Sequence, residues 1–384
     1  MNVPKLRFKE FKDEWSTIEL SKISSEISYG MGLPSKEYDG INKYIRITDI
    51  DENTSKYTNK DIVSPDGELE DKYIVKKNDI LFARTGASTG KTYLYDKKDG
   101  KLYYAGFLIK ANIINHDANF IFQQTHTSKY NKWIKVMSMR SGQPGINSQE
   151  YGSYKFSITS KIEEYKISKT LQLLDKKIEL QTNKIEDLKL FKLYTKDQIF
   201  KDYDESFKLK DILVKWNKKN KNNSVKYVES ISNKYGFISQ SDQFEDRNVA
   251  SKDLNNYYII EKGVFGYNPS RLNVGSLALK TNDKVSVVSP LYECFTTSQN
   301  NQYLLEWFDS KYFRKETISK FEGGVRNTLN FSNLCEIEIG LPTIEKQNMY
   351  SRIFKIFNNK IEFEVKKLYK LQELKKGLMQ NMFV

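Results

Sequence analysis

The sequence predicts an α+β fold: two domains of mixed strands and short helices, joined by two long helices that form an antiparallel coiled coil, with pseudo-two-fold symmetry. Three observations predict it. A strand-rich segment occurs twice, with Tyr258 following Tyr73 at a shift of 258 − 73 = 185 residues. A helical segment also occurs twice, with Ser351 following Ser168 at a shift of 351 − 168 = 183 residues. Each helical copy carries apolar residues at heptad spacing.

The first predicted domain, together with an N-terminal segment, covers residues 1–159. It is rich in β-branched and aromatic residues, and Asp-Gly turn signals occur at 39–40, 66–67 and 99–100. This pattern is typical of short strands. Strands are expected at residues 43–47, 79–83, 92–95 and 106–113. Residues 119–140 are predicted to form one helix, which a loop rich in Gly and Pro follows at 141–145.

The first long helix is predicted over residues 160–201, where apolar residues recur at steps of four and three without a Pro or Gly. Such a pattern is the seam of a coiled coil, and a helix of about 40 residues is roughly 60 Å long. Packing of an ordinary amphipathic helix against a globular core is the alternative interpretation. The seam consists of Ile167, Leu171, Leu174, Ile178, Gln181, Ile185 and Leu188.

The same order then repeats, with a second domain predicted over residues 202–341 and a second long helix over 342–384. Each seam has one polar position, Gln181 in the first helix and Glu364 in the second, and these two side chains are expected to approach each other across the axis. A buried polar pair there would fix the register of the helices at some cost in stability. The second seam consists of Tyr350, Phe354, Phe357, Ile361, Glu364, Leu368 and Leu371.

The charge balance favours a polyanionic partner. The 384 residues include 62 Lys and Arg against 49 Asp and Glu, which gives a net charge of +13 spread along the whole chain. Lys and Arg displace condensed counterions from phosphates, so nucleic acid is the partner that this composition favours. A basic protein that is merely soluble has the same balance, so charge alone does not decide between the two.

Composition and spacing argue against several other classes of protein. The two Cys and two His residues lack the close pairs that a zinc site needs. No apolar run approaches the roughly 18 residues of a membrane span, and the N-terminus has no signal-peptide pattern, so a cytoplasmic protein is expected. Neither a Ser-His-Asp set, nor a Cys-His set, nor a spaced pair of carboxylates indicates a catalytic site.

The first candidate DNA contact is the glycine loop at residues 86–92, Gly-Ala-Ser-Thr-Gly-Lys-Thr. It has three residues between its glycines where a Walker loop has four, and a strand pattern follows where that loop needs a helix, so nucleotide hydrolysis is not expected. The loop can contact phosphates or base edges, or it can be a hairpin turn that needs glycine. Its candidate side chains are Arg84, Thr85, Ser88, Thr89 and Lys91.

Other loops carry side chains able to form bidentate contacts to guanine or adenine. The alternative interpretation is that the loops before the long helices are only tight turns that lead the chain into each helix. The loops that precede these helices contribute Arg140, Gln143 and Asn147 in the first copy, and Arg326 and Asn327 in the second. The loop after residues 264–267 adds Asn268, Ser270, Arg271 and Asn273. Its Asn-Pro-Ser start lacks the second Pro and the aromatic residue of the catalytic tetrapeptide of amino-methyltransferases, so S-adenosylmethionine binding is not expected here.

Three motifs carry a resemblance to a known family. They are Val-Pro-Lys-Leu-Arg-Phe at 3–8 with Phe-Lys-Asp-Glu-Trp at 11–15, Asn-Asp-Ile-Leu-Phe-Ala-Arg-Thr-Gly at 78–86 with Ser-Thr-Gly-Lys at 88–91, and Leu-Pro-Thr-Ile-Glu-Lys-Gln at 341–347. In these motifs and in the order of its four blocks, the whole chain resembles the DNA-specificity subunits of type I restriction–modification systems. It departs from them at 160–165, where the family usually has Pro and Gln, and its loop at 268–271 differs from that at 83–86.

The resemblance implies two target-recognition domains, each reading one half of an asymmetric bipartite sequence in double-stranded DNA, and a coiled coil that sets the spacing of the half-sites. It implies two modification subunits, which transfer a methyl group from S-adenosylmethionine to adenine, and two restriction subunits, which use ATP and Mg. No catalysis, cofactor or metal is then expected in this chain. The alternatives are a basic coiled-coil adaptor that binds DNA non-specifically and bridges two partner proteins, and an enzyme with an unfamiliar site.

Overall fold

The computed structural model describes residues 3–139, 143–232, 235–239, 253–274, 276–318 and 328–384. The chain divides into two compact units, which we call unit 1 (Met1–Thr182 with Lys366–Val384) and unit 2 (Asn183–Val365). Each unit combines one domain of strands and short helices with part of each long helix. In the described part of the chain, every helix is too short or too polar to span a membrane.

Unit 1 is built around a four-stranded antiparallel sheet in the order β2-β9-β6-β7. Strand β1 pairs with β10, β3 with β5, and β4 runs parallel to β8. The predicted strand at 79–83 is confirmed, and it is buried at every position because one face packs on helix residues such as Phe120 and the other on residues of β8 such as Leu102. The strands are β1 (Ser16–Glu19), β2 (Ser24–Tyr29), β3 (Ser35–Glu37), β4 (Lys43–Ile45), β5 (Val63–Pro65), β6 (Asp79–Ala83), β7 (Thr92–Leu94), β8 (Leu102–Tyr104), β9 (Leu108–Ile113) and β10 (Lys155–Ile158).

The single helix predicted over residues 119–140 is wrong, because two helices occupy this region. Helix α1 (Ala118–Gln124) ends at Thr125, whose hydroxyl donates to the Phe122 carbonyl oxygen at 2.7 Å. Helix α2 (Ser128–Met137) begins after Thr127, whose side chain accepts a hydrogen bond from the Tyr130 amide. Two threonines that satisfy helix-end groups therefore divide an apolar pattern that otherwise suits one helix. A third short helix, α3 (Ser148–Ser153), precedes β10.

Unit 2 repeats this arrangement, with a four-stranded antiparallel sheet in the order β12-β19-β16-β17 and a β11–β20 pair. Its strands are β11 (Glu205–Lys208), β12 (Leu213–Trp216), β13 (Glu229–Ser232), β14 (Gly236–Ser239), β15 (Tyr258–Ile260), β16 (Phe265–Tyr267), β17 (Leu277–Leu279), β18 (Ser286–Val288), β19 (Glu293–Thr297) and β20 (Glu338–Leu341). After α4, described below, its short helices are α5 (Leu209–Ile212), α6 (Asn301–Phe308), α7 (Lys311–Ile318) and α8 (Phe331–Cys335).

The two long helices have the same length, and the second repeats the first at a constant shift in residue number. Helix α4 (Lys161–Ile199) and helix α9 (Ile344–Met382) each have 39 residues, and both ends are shifted by 344 − 161 = 382 − 199 = 183. Within unit 2, Lys184 of α4 contacts Glu364 at 3.0 Å, whereas Lys192, further along α4, contacts Asn358 at 2.8 Å. The helices are therefore antiparallel, and the predicted α+β fold with two long paired helices is confirmed.

Every seam position is buried or half-buried in its helix. In unit 1, Leu171 is fully buried and Asp175 forms an ion pair with Lys375 at 2.6 Å. In unit 2, Glu364 is also fully buried, and Lys184 and Lys360 hold its carboxylate at 3.0 and 3.2 Å. Gln181 is half-buried in unit 1. The expected approach of Gln181 to Glu364 stays a prediction.

The base of each domain packs on the helices in the same way. In unit 1, the rings of Phe120 in α1 and Phe383 lie 5.4 Å apart between centroids. In unit 2, Tyr303 in α6 and Phe200 are their counterparts at a shift of 183, and their rings also lie 5.4 Å apart. All these rings except the half-buried Phe383 are buried, so they anchor each domain to its helices through apolar area.

Candidate nucleic-acid interface

In unit 1, two candidate loops meet at one edge of the four-stranded sheet. The loop that follows β6 pairs with the segment that precedes α3 through a bridge between Thr85 and Gly145. The Gly86 amide donates to the Pro144 carbonyl at 2.9 Å, and the Ile146 amide donates to the carbonyl of Arg84, also at 2.9 Å. Arg84, Thr85, Ser88, Thr89 and Lys91 therefore lie on a surface that also includes Gln143 and Asn147.

The glycines of this loop have a structural role. Gly86 and Gly90 have φ angles of +68° and +93°, a region that favours glycine. The loop closes a hairpin, since the Ala83 amide donates to the Lys91 carbonyl at 2.8 Å and the Gly90 amide donates to the Ala83 carbonyl at 3.0 Å. A Cβ atom on Gly90 would lie 2.6 Å from Cγ2 of Ile134 in α2. The backbone is thus the hairpin turn that the sequence left open, and its side chains remain candidates for DNA contact.

Arg84 is held in place by an aromatic ring. Its guanidinium group lies 4.9 Å from the centroid of Tyr29, at the end of β2, and its Nη1 donates to the Gly106 carbonyl at 3.5 Å. The Tyr29 hydroxyl accepts from the Ser148 amide at 3.0 Å. Burial raises the pKa of Tyr29, but this hydrogen bond and the charge of Arg84 outweigh burial and lower the pKa below its usual value. The stack orients a planar cation that is suited to guanine or phosphate.

The remaining candidates of this loop differ in how firmly they are held. Lys91 forms an ion pair with the exposed Glu52 at 2.8 Å, and a pair of this kind contributes little to stability. The Thr89 hydroxyl donates to the Gly86 carbonyl at 2.8 Å, inside the loop. Lys91 can therefore exchange its carboxylate for a phosphate, whereas the Thr89 hydroxyl supports the turn.

Asn147 caps a helix. Its side-chain oxygen accepts from the Glu150 amide at 2.9 Å, and the Glu150 carboxylate accepts from the Asn147 amide at 2.8 Å. This reciprocal pair is a capping box at the start of α3. The cap favours the turn interpretation for Asn147, because the oxygen needed for a bidentate contact to adenine is already occupied.

Unit 2 has the same backbone contact with different side chains. The loop that follows β16 is joined to the segment before α8 by a hydrogen bond from the Leu329 amide to the Pro269 carbonyl at 3.1 Å, the counterpart of that from Ile146 to Arg84. The side-chain oxygen of Asn268 accepts from the Ser270 amide at 3.0 Å. Ser270 and Arg271 are exposed, so this loop presents a hydroxyl and a guanidinium group.

Asn330 is a helix-capping residue beside the candidate interface that the sequence reasoning missed. Its side-chain oxygen accepts from the Asn333 amide at 2.8 Å and caps α8. It lies 330 − 147 = 183 residues after Asn147, so the shift between the helices was the signal that could have found it. Of the other candidates, Arg140, Arg326 and Asn327 lie outside the described residues, as does the side chain of Asn273.

At residues 160–165, where the chain departs from the family pattern, Glu164 stands in place of a Gln, and the side chain that it contacts differs as well. In unit 2, the Gln347 side chain donates to Gln299 at 2.9 Å and accepts from the Asn300 amide at 3.1 Å. At a shift of 183, unit 1 has Glu164, which contacts His116 Nδ1 at 2.8 Å and accepts from the Asp117 amide at 3.1 Å. A Gln–Gln pair is therefore replaced by a His–Glu pair that makes the same backbone contact.

The described residues offer little for catalysis. Among them, no group of three or more His, Cys, Asp or Glu side chains could hold a metal ion. Burial raises the pKa of the Cys294 thiol to about 12, so this thiol stays protonated and is a poor nucleophile at neutral pH. The cations, amides and hydroxyls at one edge of each sheet are suited to binding a ligand.

Comparisons with known proteins agree with this description. Residues 13–190 match the model of the type I restriction modification DNA specificity domain. The crystal structure of the S subunit of a type I restriction-modification system from M. genitalium is similar, with a TM-score of 0.62 and 13% identity over 100% of this chain and 99% of that one. A chain from a structural study of complex assembly and conformational transition in the type I R-M system has a TM-score of 0.54 and 14% identity over 96% of this chain and 97% of that one. At such identities the two structures establish a common fold alone. The chain thus shares the fold of type I S subunits, and its residues 13–190 match the model of the type I restriction modification DNA specificity domain.

Proposed function

We propose that this chain is the DNA-specificity subunit of a type I restriction–modification complex, in which each unit reads one half of an asymmetric bipartite target. One observation carries the proposal: the same sheet edge in both units holds a loop fixed by the same backbone hydrogen bond, while the loop residues differ. A scaffold that is kept twice with different side chains at the same place is suited to reading two unlike sequences.

The chemistry of the two loops supports different half-sites. Unit 1 presents Arg84 as a stacked, planar cation with Lys91 nearby, and arginine pairs most often with guanine in the major groove. Unit 2 presents Ser270 and Arg271 after a turn that Asn268 stabilises. Cations at both edges also supply phosphate contacts, which agrees with the net charge of +13.

We assign no reaction to this chain. Methyl transfer from S-adenosylmethionine would belong to two modification subunits, and ATP-dependent translocation with Mg to two restriction subunits. The assembly would act in the cytoplasm, where it meets double-stranded DNA.

The outer faces of the long helices support the docking of two equivalent partners. In unit 1, Leu173 and Leu180 of α4 are large, exposed apolar residues seven positions apart, hence on one face of the helix. In unit 2, Ile356 and Phe363 of α9 occupy the same positions at a shift of 183 and are also exposed. Exposed apolar residues that are repeated on equivalent faces indicate an interaction surface. We assign one modification subunit to each face.

Methylation mapping of DNA from cells that carry this chain with its modification subunit tests the proposal. The expected result is one adenine-methylated motif made of two unlike halves with a fixed spacer. The adaptor alternative predicts no such motif. A complex that methylates DNA without sequence preference, or that loses all preference once rising salt removes the counterion-driven background, would support the adaptor instead.

A further inference from the structure

A four-residue turn next to each candidate loop presents an exposed apolar side chain. In unit 1 the turn runs from Ala105 to Leu108, between β8 and β9, and the Leu108 amide closes it on the Ala105 carbonyl at 2.9 Å. In unit 2 the turn runs from Ser289 to Tyr292, between β18 and β19, and the Tyr292 amide closes it on the Ser289 carbonyl at 3.1 Å. The two turns are equivalent, at a shift of 289 − 105 = 184.

The third residue of each turn is the exposed one. Phe107 is 59% exposed and Leu291 is 77% exposed. A single exposed apolar residue is ordinary on a protein surface. Here the four residues differ between the copies at every position, Ala-Gly-Phe-Leu against Ser-Pro-Leu-Tyr, and yet a large apolar side chain stands at the same place in both. Exposure of a large apolar side chain to water costs free energy. Its repetition at the same place in both copies therefore indicates that the two side chains have the same function.

Both side chains are held on rigid backbone beside the recognition loops. The Phe107 carbonyl accepts from the Arg84 amide at 3.0 Å, and the preceding Gly106 amide donates to the Met31 carbonyl at 2.6 Å. In unit 2 the Leu291 amide donates to the Ser289 hydroxyl at 3.3 Å, and Glu293, two residues after Leu291, pairs with Tyr267, the last residue before the Asn268 loop. A fixed backbone presents each apolar tip at the sheet edge that carries the candidate DNA contacts.

We propose that Phe107 and Leu291 are wedges, each inserted between two base pairs of the half-site that its unit reads. Phe and Leu are among the side chains that proteins insert between base steps, where they unstack the bases and bend the duplex. Transfer of a methyl group to a base also requires that base to leave the stack, and a wedge beside it lowers the cost of that step. The inference rests on the proposed DNA-specificity function and adds how each half-site is deformed.

The test uses the complex with modification subunits and duplexes that carry the mapped target, with 2-aminopurine at successive positions. The wild type is expected to raise 2-aminopurine fluorescence at one step in each half-site, because unstacking removes quenching. Phe107→Ala should abolish the rise in the first half alone, and Leu291→Ala in the second half alone. Each should weaken specific binding by about 5- to 160-fold, the range for one mismatched base pair. Phe107→Leu should restore both signals.

Matched controls are Ile41→Ala in unit 1 and Val214→Ala in unit 2, exposed apolar residues at 68% and 64% outside these turns, which should change neither signal. Two results would contradict the wedge proposal and leave the proposed function standing. One is specific binding by the wild type without any rise in fluorescence. The other is a rise that persists in Phe107→Ala and Leu291→Ala. Loss of affinity without unstacking would point to contact with thymine methyl groups and would also overturn the wedges. A wild-type complex that does not prefer the mapped duplex would overturn both proposals.

Discussion

At the scale of single residues, the two copies differ by compensated exchanges. Glu164 and Gln347 accept the same backbone hydrogen bond, from Asp117 in unit 1 and Asn300 in unit 2. The side chain that each one contacts also differs between the copies. The Glu164 carboxylate contacts His116, whereas the Gln347 amide contacts Gln299. Glu164 and Gln347 are both buried, so a mismatched partner would leave a polar group poorly satisfied. The two positions are therefore expected to change together.

A double-mutant cycle tests this coupling. Glu164→Gln alone should lower the free energy of unfolding by about 1–3 kcal/mol, because a buried hydrogen bond to a charged group is lost. The double variant His116→Gln with Glu164→Gln should recover most of that loss, because it reproduces the pair of unit 2. Chemical unfolding of the four chains measures the coupling. Additive effects of the two substitutions would show that the pair is not coupled.

Arg84 is expected to read sequence rather than supply charge alone. Arg84→Lys keeps the charge but loses the planar fork stacked on Tyr29, so discrimination at one base pair should fall by about 1–3 kcal/mol while binding to random duplex changes little. Arg84→Ala should also weaken non-specific binding. Competition assays with single-base variants of the mapped target measure both effects. Equal loss of specific and random binding in Arg84→Lys would show that this residue contacts phosphate only.

At the scale of elements, the sequence predicts best where a pattern is local and repeated. The heptad spacing and the shift of 183 give two helices of 39 residues each, and the strand at 79–83 appears where it was expected. The pattern failed at 119–140 because threonine caps divide the helix without interrupting its apolar spacing. The meeting of the Arg84 loop with Ile146 depends on a backbone hydrogen bond, which leaves no mark on side-chain spacing.

The helices carry a prediction about assembly. Leu180→Asp should release the modification subunit bound to α4, and Phe363→Asp the one bound to α9, because a buried carboxylate is costly at an apolar interface. Each single variant should bind one modification subunit and the double variant none, as measured by native mass spectrometry of the purified complex. Gln172→Asp, at an exposed position about 100° around α4 from Leu173, is the matched control and should bind two. Two modification subunits on the double variant would place the docking surface elsewhere.

At the scale of the whole molecule, duplication separates a constant part from a variable part. The constant part comprises two sheets with the same strand order, two capped short helices and two equal long helices. The variable part comprises the loops at the edge of each sheet, where Arg84 stands in one copy and Pro269 in the other. Under the proposed function, we expect such a chain to change either half of its target without altering its helices.

Methylation mapping of a chain with two identical readers tests this account most directly. Residues 205–341 are replaced by residues 16–158, and Gln347→Glu is added so that the second copy of His116 keeps a carboxylate partner. The account predicts an adenine-methylated motif in which both halves are the half-site of unit 1, in inverted orientation, with the spacer of the wild type. Retention of the wild-type second half, or loss of all methylation by a chain that still folds and binds modification subunits, would contradict it.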